Sequence, residues 1–204
     1  MKISRKALLS ILAAIILLTS GIVAWTQFFQ PKEVVVIETT MGTIEVELDR
    51  QHAPVTVENF VQYVKDGFYD GTIFHRVYAG FVVQAGGYTP DESEKTTRAS
   101  IKLETNVGLS NAVGTIAMAR QTAPDSATSQ FYINLVDNAL LDYKSASSPG
   151  YAVFGKVVSG MDVVNSIAKV PVETRMVDIP GYGEYPFEKW PVEDIVITRA
   201  YIKP

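Results

Sequence analysis

Arg76, Phe81 and Gln84 stand close together in the run Phe74-His75-Arg76-Val77-Tyr78-Ala79-Gly80-Phe81-Val82-Val83-Gln84-Ala85-Gly86-Gly87. A guanidinium keeps its proton near neutral pH, so Arg76 can donate hydrogen bonds but cannot serve as a general base. A fixed donor beside a buriable aromatic and an amide suits a site that stabilises a polar transition state without moving protons. A second run, Ser129-Gln130-Phe131-Tyr132-Ile133-Asn134, adds another amide and two more aromatics.

Rotation about a peptide bond that precedes proline has these needs. The trans form is only weakly favoured, yet the barrier is roughly 18–20 kcal/mol because twisting ends the amide resonance. In the twisted state the proline nitrogen becomes pyramidal and carries a lone pair. A donor aimed at that nitrogen binds the twisted state and not the planar one. A five-order acceleration asks for about 7 kcal/mol. Arg76 and Gln84 share a strand parity and Phe81 has the other. A bulge at Gly80 would bring Phe81 round to the face of Arg76. The plainer reading, in which Arg76 is a surface residue and Phe81 is core, stays open on the residues alone.

Composition removes other classes. The chain has 204 residues, 47% hydrophobic and 20% charged, with a formal net charge of −4. That is ordinary for a globular protein with one sizeable domain. No Lys/Arg cluster follows the N-terminus, so nucleic acid is not an expected partner. Cysteine is absent and His52 and His75 are the only histidines, so a multi-histidine metal site is not expected; a carboxylate-only ion site stays open but has no motif behind it, and no cofactor is expected. Asp125, Ser126 and Ser129 could form a hydrolase set with His75, but no strand-turn-helix elbow surrounds either serine. His75 itself is expected to be structural. Gly86-Gly87 lacks the spacing of a nucleotide loop and reads as backbone flexibility near the site.

The elements that would position these residues are mostly short strands. Val34 to Leu48 reads as a hairpin turning at Thr40-Met41-Gly42-Thr43, with Val34, Val36 and Thr40 on one parity and Ile44, Val46 and Leu48 continuing it. A helix follows Pro54, with Val57, Phe60, Val61 and Val64 on one stripe, Thr56 as N-cap and Gly67 ending it. Thr89 to Ile101 reads as an exposed excursion and Gln121 to Thr128 as a loop. Strands are expected at Gly114 to Ala119, Phe131 to Val136 and Tyr151 to Val157. A second helix after Ser159-Gly160 carries Met161, Val164, Ile167 and Ala168 on one stripe. Pro171 to Pro191 reads as a long ordered loop whose tyrosines pack on the body of the protein. Val192 to Ile202 is the last strand. This pattern predicts a mainly β fold, a closed antiparallel barrel with helical caps.

The N-terminus stands apart. Lys2, Arg5 and Lys6 precede an uncharged apolar run from Ala7 to Trp25, which places the N-terminus on the cytoplasmic side. Residues 1–26 read as either a cleaved signal or a membrane anchor. Both readings engage the export machinery and carry the domain to the periplasm, soluble in one case and tethered to the inner membrane in the other. Residues 27–33 read as a linker and 34–204 as the exported domain.

From Val34 onward the chain resembles a cyclophilin-type peptidyl-prolyl cis-trans isomerase of the bacterial exported kind. The resemblance rests on Ala53-Pro54-Val55-Thr56-Val57-Glu58-Asn59-Phe60, Phe68-Tyr69-Asp70-Gly71-Thr72, Phe74-His75-Arg76-Val77 and Gly80-Phe81-Val82-Val83-Gln84. It continues in Gly114-Thr115-Ile116-Ala117-Met118-Ala119-Arg120, Asp125-Ser126-Ala127-Thr128-Ser129-Gln130-Phe131 and Tyr151-Ala152-Val153-Phe154-Gly155-Lys156-Val157. It implies an eight-stranded antiparallel barrel capped by two helices. It also implies catalysis by Arg76 with Gln84 and Phe81, and a proline-ring pocket of Phe81, Val82, Tyr132 and Leu141. Tyr151 stands where animal members usually carry histidine. Ala119 and Arg120 match the strand edge that binds substrate backbone, and Gln130 matches a second substrate-facing amide. The partners implied are proline-containing unfolded or partly folded polypeptides, met by a monomer. Ala85 replaces a usual glycine, adding a methyl near the pocket wall, and Val82 is smaller than the common methionine. Tyr132 replaces a usual phenylalanine and brings a hydroxyl that needs a partner. Leu140 replaces the tryptophan associated with cyclosporin binding, which implies weak affinity for that ligand. These departures leave room for a membrane-tethered peptide-binding or chaperone module with little isomerase activity.

Overall fold

The computed structural model describes residues 32–179 and 183–204. The apolar N-terminal run and most of the expected linker lie outside the described residues. Ten strands and two α-helices follow one another along the described chain. Eight strands form one antiparallel sheet: β1 (Val34–Thr39), β2 (Gly42–Leu48), β3 (Arg76–Tyr78), β4 (Val82–Ala85), β5 (Thr115–Met118), β6 (Phe131–Asn134), β7 (Val153–Ser159) and β10 (Ile197–Ile202). Their order is β10-β1-β2-β7-β5-β6-β4-β3. The sheet curls so that, just ahead of β3, Ile73 forms a single antiparallel bridge with Val196 beside β10. Backbone bonds from Phe74 N to Ile195 O (2.9 Å) and Ile197 N to Thr72 O (2.7 Å) flank that bridge.

Alternation divides the sheet into two faces. On the inner face Val77, Val83, Ile133 and Ile116 stand opposite one another across four strands, and all four belong to the main core. In the first hairpin Val35 pairs with Val46 and Ile37 with Ile44, so β1 places Val35 and Ile37 in that core. The expected parity of Val34, Val36 and Thr40 is therefore reversed. Four consecutive apolar residues carry no alternation, and pairing with the unambiguous strand β2 decides the register.

Helix α1 (Pro54–Lys65) lays Val57, Phe60, Val61 and Val64 on this core. The Phe60 ring meets Tyr69, Phe131 and Phe154 at centroid separations of 5.2, 5.5 and 5.0 Å, pairs worth about 0.5–1.5 kcal/mol each beyond their burial. Thr56 is not the N-cap. The helix starts at Pro54 with Ala53 before it and no side-chain cap from its own sequence. Instead Glu104, distant in sequence, accepts from the Val55 and Thr56 N–H groups at 3.1 and 2.8 Å and so satisfies orphan donors of the first turn. Gly67 ends the helix as expected, with φ of 64°. Gly67 N reaches Val64 O and Phe68 N reaches Tyr63 O, which is the Schellman arrangement. Helix α2 (Met161–Ile167) buries Val164 and Ile167, with Met161 and Ala168 packed at the margin of the core.

The segment expected to be a long loop is a second, two-stranded sheet of β8 (Val172–Ile179) and β9 (Gly183–Pro191). Its prolines hide the alternation, because Pro186 and Pro191 sit within β9 where sheet interiors rarely admit proline. The hairpin covers a small separate core of Ile73, Tyr88, Val177 and Trp190. Trp190 does the packing that the tyrosines were expected to do, whereas Tyr185 is 57% exposed.

Candidate active site

The outer face of the sheet carries the chemistry. Arg76, Gln84, Tyr132, Ala117 and Val153 stand directly opposite one another on β3, β4, β6, β5 and β7. Val82, Ala117, Tyr132 and Val153 form a buried apolar cluster of their own, and Phe81, Leu109, Ala119, Leu141 and Tyr151 pack at its rim. The expected pocket residues Phe81, Val82, Tyr132 and Leu141 thus come together with Ala119 and Tyr151. Leu109, Ala117 and Val153 complete the floor and rim; strand parity with Ala119, two residues on in the same expected strand, could have found Ala117.

Phe81 reaches this face through a turn rather than a bulge. Residues 79–81 connect β3 to β4, Gly80 adopts a φ of 74°, and Phe81 N donates to Tyr78 O at 3.0 Å. The Arg76 Cζ lies 6.0 Å from the Phe81 ring centroid. Arg76 Nη1 donates to Gln84 Oε1 at 3.4 Å, and Gln84 Nε2 donates to Gln130 Oε1 at 2.8 Å. Gln130 is itself fixed by close approach: a Cβ added at Gly87 would stand 2.6 Å from its Nε2. At Gly86, with φ of 86°, a Cβ would stand 2.8 Å from Tyr69. Gly87 therefore packs tightly against the amide chain and Gly86 against Tyr69 and Phe131, and neither supplies flexibility.

Tyr132 finds the partner its hydroxyl requires in Asn111, at 2.7 Å to Oδ1. Asn111 in turn donates from N and Nδ2 to Asp142 Oδ1 at 2.7 and 2.9 Å. Burial would raise the Asp142 carboxyl, but hydrogen bonds from Ser110 and Asn111 outweigh it and hold the group below its ordinary range. Burial pushes the Tyr132 phenol well up, so it stays a neutral donor. Asn111 and Asp142 carry no signal in the sequence, because their role depends on a contact across many residues.

Arg120 lies over the Tyr151 ring at 4.6 Å, with Nε donating to Gly150 O at 3.0 Å. Leu140 stays outside the cluster, on a short 3-10 turn, and the residue is 82% exposed. Ala85 faces the other way from its expected position. It pairs with Phe131, is fully buried and belongs to the inner core, so its methyl is absent from the pocket wall.

His75 is buried against Tyr88 and Trp190 at centroid separations of 4.9 and 5.9 Å. Burial lowers its pKa to about 4, partly offset by the Ile73 backbone and the Gln130 amide. It is neutral near pH 7 and structural. The hydrolase set is not assembled, since Ser129 Oγ donates to Gly86 O at 2.7 Å and Ser126 Oγ to Ala123 O at 2.5 Å. Among the described residues no cluster of His, Cys, Asp and Glu could hold a metal.

The site is thus an apolar recess on a β-sheet with one amide-held guanidinium at its edge. The family model for cyclophilin type peptidyl-prolyl cis-trans isomerases matches residues 34–202. Peptidyl-prolyl cis-trans isomerase A of Dickeya dadantii is 50% identical over 168 residues, covering 82% of this chain and 83% of that protein. A peptidyl-prolyl cis-trans isomerase of Acinetobacter baylyi is 53% identical over 167 residues, covering 82% and 84%. The Escherichia coli isomerase B is 49% identical over 138 residues, covering 67% and 84%. A solved cyclophilin-type isomerase of Cryptosporidium parvum, crystallised in the presence of the dipeptide Ala-Pro, superposes with a TM-score of 0.69 at 24% identity, covering 84% of this chain and 99% of that one. The chain belongs to the cyclophilin-type peptidyl-prolyl cis-trans isomerase family.

Proposed function

We propose that the protein accelerates rotation about X-Pro bonds in unfolded or partly folded exported polypeptides, with Arg76 stabilising the twisted amide. The observation that carries this reading is the placement of the Arg76 guanidinium beside Gln84 Oε1 at 3.4 Å and at the edge of the Phe81, Val82, Tyr132 and Leu141 recess. The recess takes the proline ring. The guanidinium meets the lone pair that forms on the proline nitrogen only when the bond twists. Gln84, steadied by Gln130, restricts where the fork can point, so little reorganisation remains at the transition state. Ala119 and Arg120 border the recess on the opposite side and hold the substrate backbone. No acid, base or cofactor enters the reaction.

Isomerisation of a proline tetrapeptide by the protein and by its Arg76→Ala variant tests this. The variant is expected to lose about 10²–10³ in kcat/KM, the usual cost of one such donor, while peptide affinity changes by no more than a few-fold. Equal slowness of the two proteins, with peptide still bound, would instead support a membrane-tethered peptide-binding module.

The remaining features of the reading follow from the sequence. The apolar run from Ala7 to Trp25 directs the domain to the periplasm as a cleaved signal or an anchor, and the mass of the mature N-terminus distinguishes them. The domain acts as a monomer in which the sheet closes as a barrel at the Ile73–Val196 seam. Leu140 leaves cyclosporin weakly bound, measurable by inhibitor titration.

A further inference from the structure

A small cleft opens beside the site, between the β3–β4 turn, the end of α2 and the β8–β9 hairpin. Tyr78, Ala79, Ala168, Val170, Val172 and Lys189 line it, and its volume is ≈ 120 Å³. That is of the order of the apolar cavity of about 150 Å³ that accepts benzene, so it is sized for one phenyl or leucine side chain. The side chains lining it are apolar apart from those of Tyr78 and Lys189.

Two observations connect the cleft to the Arg76 site. The first is the Tyr78 ring, which lies edge-on to Phe81 at 5.7 Å and 81° with the Arg76 Cζ 5.9 Å from its centroid. One ring therefore borders both the guanidinium and the cleft, although 44% of the residue is exposed. The second is the irregularity in the hairpin ladder. Glu173 pairs with Trp190 but Arg175 pairs with Phe187, so β9 carries an extra residue there. Lys189, within it, adopts a φ of 65°, a conformation a lysine occupies only when its surroundings impose it. A bulge re-aims a side chain; here the Lys189 Nζ lies 5.6 Å from the Tyr78 ring centroid.

We propose that this cleft is an accessory subsite of the Arg76 site that takes an apolar side chain of the substrate polypeptide, near the proline in sequence. The inference rests on the isomerase reading above. An extended chain advances about 3.3–3.6 Å per residue, and the Tyr78 and Phe81 rings are 5.7 Å apart. A polypeptide whose proline is held at Phe81 passes the Tyr78 ring within about two residues, which sets a neighbouring side chain of the same polypeptide beside the cleft that Tyr78 lines. Continuity with the Arg76 site is what selects a substrate side chain as occupant over a second copy of this chain.

The test measures kcat/KM for proline peptides flanked only by alanine and for peptides with phenylalanine or leucine one or two residues from the proline, on either side in turn. The protein is expected to favour an apolar residue on one side by about tenfold. Ala168→Met, which fills the cleft, is expected to reduce that ratio to near one. Val170→Ala, which enlarges it, is expected to shift the preference from leucine towards tryptophan, a gain that misfolding cannot produce. Turnover with no flanking preference, or a preference that both variants leave intact, overturns the inference and leaves the isomerase reading standing. A change in solution mass for Ala168→Met with the preference intact also overturns it, in favour of an interface between copies. Failure to turn over any peptide removes the isomerase reading and this inference with it.

Discussion

The two faces of the curled sheet are made by the same strands and differ only in parity, yet they do opposite work. On β6, Phe131 and Ile133 point into a core whose members are almost wholly buried, whereas Tyr132 between them floors an external recess. The strand side chains of the inner face are all apolar and are held by packing alone. The outer face is apolar as well, but each of its functional groups is tied to a polar partner: Arg76 to Gln84, Gln84 to Gln130, Tyr132 to Asn111. Burying a hydroxyl or an amide costs free energy unless it is bonded, so the outer face needs a second layer from the loops and the inner face does not.

Substitutions on adjacent residues put that contrast to the test. Phe131→Ala, on the inner face, is expected to cost about 3–5 kcal/mol of stability, read by denaturant unfolding, with kcat/KM per folded molecule nearly unchanged. A collapse of turnover in the folded fraction would mean the two faces are not separable. The small core under the hairpin should reveal itself through pH. Burial holds the His75 pKa at about 4, below the unfolded value of about 6.5, so between these values the unfolded chain binds a proton that the folded chain does not. Stability from this group is complete above about pH 6.5 and falls by about 3 kcal/mol as pH drops through 4. A His75→Leu variant should lack that slope, and an unchanged slope would place its origin elsewhere.

The outer face should be more forgiving. Tyr132→Phe removes the bond to Asn111, whose Oδ1 still receives Asn134 Nδ2 at 3.3 Å, so the expected loss is about 1 kcal/mol with kcat/KM within a few-fold. The smallest effect is expected of Ala85→Gly, about 0.5–1 kcal/mol of stability from the added backbone freedom. Its KM for a proline peptide should not move; a shift would mean the methyl reaches the recess after all.

Legibility in the sequence followed the range of the interaction. Helix α1, its terminal Gly67, the strands β6 and β7 and the parity that Arg76 shares with Gln84 rest on local periodicity, and local patterns are what a sequence displays; the turn at Gly80 that pairs the two across β3 and β4 was not among them. The register of β1 was hidden because Val34 to Ile37 are all apolar. The β8–β9 hairpin was hidden because proline and glycine dominate its composition. Glu104 capping α1 and Asn111 holding Tyr132 join segments far apart in the chain, and no spacing rule announces such a partner.

By itself the sequence determined the residue types of the site: a permanently charged donor, aromatics for a ring pocket and amides to hold the donor, carried by strands of known parity. Only the tertiary structure decided which face each residue occupies. It turned Ala85 inward and left Leu140 in solvent, and it set the Tyr78 ring between Arg76 and Lys189. The reason is physical. Parity is a property of one strand, but the side of a sheet that becomes interior is fixed by which other strands and helices pack against it.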